Sequence, residues 1–172
     1  MTTCHDISSW EQTPTVPSVR FRHIVVGIDG SDPSRRALEW ARFMAVTTGA
    51  TVEAVSVWHV PAAPVIVGTG LPADAVLQDA TARVLHDTVT AVLGDAPGVS
   101  VRELVGHGST ARVLLGASKD AQLLVVGSRG HGGFTGLLLG SVSSACAEHA
   151  RCPVLVVHGD TPPPPVLTAA GQ

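Results

Sequence analysis

Residues 121–150 read AQLLVVGSRGHGGFTGLLLGSVSSACAEHA, and the order of residue types along this stretch decides the fold. Ala121 to Val126 is a nearly continuous aliphatic run of strand length, the pattern of a central parallel strand buried on both faces. A glycine-rich loop follows, and a helix is expected from about Ser141 to Ala150, with Ser141 as its N-cap. The stretch therefore reads strand, loop, helix, and the same unit recurs on both sides of it.

Upstream, His23 to Ile28 forms a first strand that ends in Gly27-Ile28-Asp29-Gly30-Ser31-Asp32-Pro33, where Ser31 or Asp32 caps a helix whose first position is Pro33. Ala37, Leu38, Ala41, Met44 and Ala45 give that helix one apolar face, and Gly49 stops it. A second strand runs from Thr51 to about Trp58. A loop rich in proline and glycine, Pro61 to Pro72, leads to a helix that reaches Leu93 and closes at Gly94. The third strand, Val99 to Val105, turns through Gly106-His107-Gly108 to Ser109, the N-cap of a helix ending near Lys119. Pro153 to Val157 makes the fifth strand. Strands alternating with helices predict a single α/β domain: a doubly wound five-stranded parallel sheet with helices on both faces, spanning residues 21–158. Residues 1–20 and the proline-rich stretch 159–172 read as solvated tails.

Composition narrows the function. The 172 residues are 45% hydrophobic and 15% charged with a net charge of -3, a compact chain with no basic stripe for a nucleic-acid backbone. Aromatic residues make up 3% and tyrosine is absent, so a base-stacking platform is disfavoured as well. Mean hydropathy is +0.32, yet polar residues break every apolar stretch well before the ~18 residues of a membrane span. The first residues lack the basic start and apolar middle of a secretion signal, so a cytoplasmic location is expected. Cys4, Cys146 and Cys152 do not form a disulfide framework.

The chemistry concentrates at Gly127 to Ser141. Backbone N–H groups emerging between a buried strand and a helix start are suited to phosphate, and glycine permits close approach. A P-loop needs a Gly-Lys pair, which the chain lacks, and a dinucleotide fingerprint needs glycine where Thr135 stands. The segment instead shows Gly127-x2-Gly130-x9-Gly140-Ser141. Arg129 and His131 flank the loop, where they either neutralise phosphate or remain solvated charges. Cys146-x2-His149-x2-Cys152 has metal-like spacing but no evident fourth ligand. No HExxH or GxSxG motif occurs.

Three landmarks in order, HIVVGIDGSDPSRRALEWA, VVGSRGHGGFTGLLLGSVS and HARCPVLVV, resemble the opening unit, phosphate loop and closing strand of the universal stress protein family. The resemblance covers about residues 21–158 and implies strand order 3-2-1-4-5. It also implies a single-domain, ATP-binding stress-response regulator, with magnesium as an optional companion of the nucleotide. In that reading Val60 approaches adenine through its backbone and Asp29 holds ribose, unless Asp29 only helps to cap the first helix. Gly127, Gly130, Gly140, Ser141 and Ser143 surround the phosphates, and Arg129 and Val142 belong to the same binding set. The resemblance further implies a homodimer through the fifth strand. The alternatives in the same site are a cyclic AMP binder and a slow ATPase, and an interaction module with an empty pocket is a third class. No catalytic residue is assigned. Many relatives have proline where Gly108 stands, which predicts a looser turn there.

Overall fold

The computed structural model describes residues 23–59, 73–94, 98–130 and 139–165. Residues 1–20, Val60, the loop Pro61 to Pro72, His131 and the last residues from 166 lie outside them. The elements follow in the order β1 (His23–Gly27), α1 (Asp32–Thr48), β2 (Thr51–Trp58), α2 (Ala73–Leu93), β3 (Val101–His107), α3 (Thr110–Ala117), β4 (Leu123–Gly127), α4 (Ser141–His149) and β5 (Val154–Val157). Every strand pairing is parallel and the sheet order is β3-β2-β1-β4-β5, the doubly wound arrangement expected.

Alternation along the strands builds two cores. Ile24, Val26, Val52 and Ala54 face α1 and α2, where they meet Leu38, Ala41, Ala45, Leu85 and Val89. Val25, Val55, Leu124 and Val126 face the opposite way, against Leu114 of α3 and Cys146 of α4. β1 and β4 are thus sealed on both sides at their inner positions, which is why Ile24-Val25-Val26 and Leu123-Leu124-Val125-Val126 are aliphatic without interruption. Ala37, Leu38, Ala41 and Ala45 of α1 are buried as their spacing requires. Gly49 ends the helix in the left-handed conformation, φ 70°, with its N–H donating to Ala45 O at 2.8 Å.

Several boundaries differ from the sequence expectation for non-local reasons. β3 starts at Val101 and runs to His107, so Gly106 and His107 are strand and not turn. His107 pairs with Trp58 at the end of the ladder, and the two rings lie 4.2 Å apart. A Cβ on Gly106 would come within 2.6 Å of Val113 Cγ1, so glycine lets α3 lie close on this strand. Gly108, φ +103°, donates its N–H to Trp58 O at 2.9 Å, which a proline could not do. The turn is therefore tied to β2 and not loose. β4 begins at Leu123, not Ala121, and α3 ends at Ala117, with Lys119 in the turn beyond it. In α4 the N-cap is Gly140, and Ser141 is the first helical residue. Of the C-terminal tail, residues 159–165 are described and all but Pro163 are exposed, with one tie to the domain: the Trp40 indole donates to Thr161 O at 3.0 Å. No helix among the described residues is long and apolar enough to cross a membrane.

Candidate nucleotide site

Strand order reverses between β1 and β4, and their carboxyl ends open into a cavity of about 460 Å³. Asp29, Gly127, Arg129, Gly130, Gly140, Ser141, Val142 and Ser143 all line it. Val60, the remaining expected site residue, lies outside the described residues. Two loops separated by about a hundred residues of chain thus meet across one crevice, because parallel pairing of β1 with β4 brings their ends level.

The first turn of α4 faces this cavity. Gly140 donates its N–H to Ser128 O at 2.8 Å and accepts from Ser144 N at 2.9 Å, the first bond of the helical ladder. The N–H groups of Ser141, Val142 and Ser143 therefore have no intrahelical acceptor, and no side chain among the described residues caps the turn. Together with the helix dipole they make a patch suited to anions. The Ser143 hydroxyl donates to Gly127 O at 2.6 Å, tying α4 to β4, so the donor that Ser143 can offer a phosphate is its backbone N–H. Asp29 Oδ1 accepts from Ser31 N at 3.0 Å and Ser31 Oγ at 2.5 Å. Ser31 Oγ in turn accepts from Ser34 N at 3.3 Å, so Asp29 does help to set the cap of α1.

The glycines differ in what they permit. A Cβ on Gly127 would stand 2.8 Å from the Pro33 carbonyl carbon, so this glycine admits the start of α1 onto β4. A Cβ on Gly130 would run into Asp29 Oδ2. Gly140 has φ -73°, open to any residue, and among the described residues a Cβ there would meet Arg129 Cα and Ser128 O at an ordinary 3.6 Å. Neither the backbone conformation nor packing among the described residues demands glycine at 140. What a side chain would obstruct is the cavity.

A family profile described as "Universal stress protein family" matches residues 20–158. The chain belongs to the universal stress protein family. It is 39% identical over 141 residues to a universal stress protein of Mycobacterium tuberculosis, an alignment covering 82% of this chain and 47% of that one. The chain thus spans about half the length of the curated relatives it matches. Among solved structures it is similar to the universal stress protein UspA of Lactobacillus plantarum, with TM-score 0.65, 24% identity, and coverage of 80% of this chain and 98% of that one. A universal stress protein solved in complex with cAMP aligns at TM-score 0.56 and 29% identity, covering 80% of this chain and 97% of the other.

This universal stress protein has a wall that the sequence did not reveal. Ile28, Val57, Leu114, Val126 and Leu139 give the cavity an apolar side, and His59 and Thr110 add polar groups. Val57 and His59 could have been found by following β2 to its carboxyl end, whereas Thr110 and Leu114 reach the cavity only through the packing of α3. Cys146, His149 and Cys152 do not converge on a metal site, and no group of three or more candidate ligands does so among the described residues. Burial, followed by the nearby Cys152, pushes the Cys146 thiol up to about 11, so it stays protonated as a packing group.

Proposed function

We propose that the cavity binds an adenine nucleotide, with ATP as the working ligand, and that nucleotide occupancy sets the conformation or partner contacts of a cytoplasmic stress-response regulator. The observation that supports this reading is the first turn of α4, which lines the cavity with its leading N–H groups uncapped by any described side chain and with glycine at its cap. Phosphates would lie over the N–H groups of Ser141, Val142 and Ser143, with Arg129 beside them. Ribose would lie near Asp29 and the base against the apolar wall. The cavity volume falls within the ~300–1,000 Å³ of small-molecule sites. Asp29 would also contribute a carboxylate to a magnesium ion accompanying the nucleotide, since Mg²⁺ is commonly held by one or two carboxylates and phosphate oxygens. Acid extraction of purified protein followed by mass spectrometry of the released nucleotide tests the reading. Protein that releases no nucleotide and takes up none in calorimetric titration refutes it.

Cyclic AMP is the second reading, favoured by the solved relative that holds it. A cyclic phosphodiester has one negative charge and engages fewer N–H donors than a triphosphate, so competition between ATP and cyclic AMP separates the two.

The same proposal includes a homodimer through β5. The bonds from Leu124 N to Pro153 O and from Ser128 N to Val157 O show that alternate peptide groups of β5 face β4. Those of Val154 and Val156 therefore face outward along an open edge. Val156→Pro removes one outward donor at an edge position that tolerates proline, and should shift sedimentation from dimer to monomer. A wild type already monomeric at micromolar concentration overturns the dimer.

A further inference from the structure

The hydrogen bond between Trp40 and Thr161 joins two parts of the chain 121 residues apart and has no part in the nucleotide site. After β5 the chain turns at Gly159, φ +57°, and returns to α1, where the indole N–H meets the Thr161 carbonyl at 3.0 Å. Thr161 is followed directly by Pro162, Pro163, Pro164 and Pro165. Pro163 is half-buried while its three proline neighbours are exposed. Trp40 is packed against the core beneath α1, and Phe43, one turn along, stands edge-on to it with centroids 5.9 Å apart and planes at 82°. The indole is thus braced from below and from the side.

A proline run has no N–H to donate, is already extended, and presents bare carbonyl acceptors. Surfaces that recognise such a run supply what it lacks: flat aromatic area for the pyrrolidine rings and a donor for a carbonyl. Tryptophan offers both in one side chain, with its N–H as a donor only. Trp40 makes the donor contact to the residue heading the run, and Phe43 extends the aromatic area along the same helix.

We propose that Trp40 and Phe43 form a docking site for an extended proline-rich segment, filled in cis by residues 161–165 of this chain. A proline-rich segment from another molecule would then compete with the resident one. The site is separate from the nucleotide cavity, so its test does not depend on nucleotide binding.

The experiment follows the Trp40 indole N–H by NMR in the full-length chain, with Trp40→Phe assigning the resonance. The comparison chain carries Pro162→Ser, Pro163→Ser, Pro164→Ser and Pro165→Ser together. Solvent exchange of the indole proton should be at least about tenfold faster in that chain than in the wild type. Adding a synthetic peptide of residues 160–165 should shift the indole resonance saturably in the serine chain, and at much higher peptide concentration in the wild type. Equal exchange in the two chains, or no response of the serine chain to the peptide, overturns the docking site. Protection that rises with protein concentration overturns the cis arrangement, since the segment would then come from a second copy.

Discussion

α1 and α4 begin at the same edge of the sheet, after the adjacent strands β1 and β4, and they treat their first turns in opposite ways. α1 is closed by its own residues: Ser31 accepts from Ser34 N, Asp29 holds Ser31, and Asp32 lies in the first turn. α4 has Gly140 at the cap, no side-chain bond, and no acidic residue in its first turn. A helix that satisfies its own leading N–H groups has a structural start, whereas one that leaves them facing a cavity has a start shaped for something outside the chain. Both lie beside one crevice, and in the proposed function the contrast assigns the phosphates to the α4 side.

The sharpest way to break this contrast is to give α4 the kind of cap that α1 has. Gly140→Asp places a carboxylate at a position whose φ and surroundings accept it. Calorimetry should show ATP affinity reduced at least ~100-fold, about 2.8 kcal/mol. The same variant should melt no lower than the wild type, because aspartate is a better N-cap than glycine by a few tenths of a kcal/mol. Unchanged affinity would remove the phosphates from α4.

Gly127→Ala tests the opposite kind of glycine. Its new methyl meets the Pro33 backbone, so denaturant titration without nucleotide should show a loss of roughly 1–3 kcal/mol, the usual cost of overpacking. Full stability would mean that α1 can move off β4 freely.

α4 is held to the sheet by Cys146, and this gives an alkaline test that α1 lacks. The thiol rises from 9.0 in its unperturbed state to about 11 in the fold. The folded protein therefore keeps a proton that the unfolded chain gives up. The associated stability is complete below about pH 9 and is lost as pH rises toward 11. Two pH units correspond to about 2–3 kcal/mol. Cys146→Ala should flatten that part of the stability profile, and an unaltered slope would assign it to other groups.

Ser31→Ala opens the cap of α1 and should cost about 1 kcal/mol in stability. Nucleotide affinity should fall far less than in Gly140→Asp, through the loosened Asp29 alone. The smallest effect concerns rate. ATP turnover should stay slower than about 1 s⁻¹, since Lys119, the only lysine, lies in the turn after α3, at the far end of that helix from Thr110 in the cavity wall. Phosphate release from wild type above that value, absent in Gly140→Asp, would make this an enzyme.

Legibility in the sequence followed the range of the deciding contacts. β1 and β4 announce themselves because burial on both faces leaves their inner positions aliphatic, and the glycine-rich loop after β4 does so because its glycines are close in sequence. The strand order came through family resemblance. β3 was misplaced because Gly106-His107-Gly108 has the composition of a turn, while its state is decided by Trp58 and Val113, both elsewhere in the chain. Gly140 took the cap position expected of Ser141 because its N–H reaches back to Ser128, a contact that spacing does not encode. The apolar wall and the tie between Trp40 and Thr161 depend on how distant elements pack, so periodicity within any one of them is silent about both.

The contact between Gly127 and Pro33 has a mechanical consequence. Where a side chain would normally hold a helix away from the neighbouring strand, the first turn of α1 rests directly on the β4 backbone, and the Asp29 carboxylate lies against Gly130 just above. The two loops therefore share one fulcrum. In a close-packed interior without slack, the end of β4 and the first turn of α1 cannot shift independently at that point. From there α1 continues as one helix of 17 residues whose middle carries the half-buried Trp40, which is not among the residues lining the cavity.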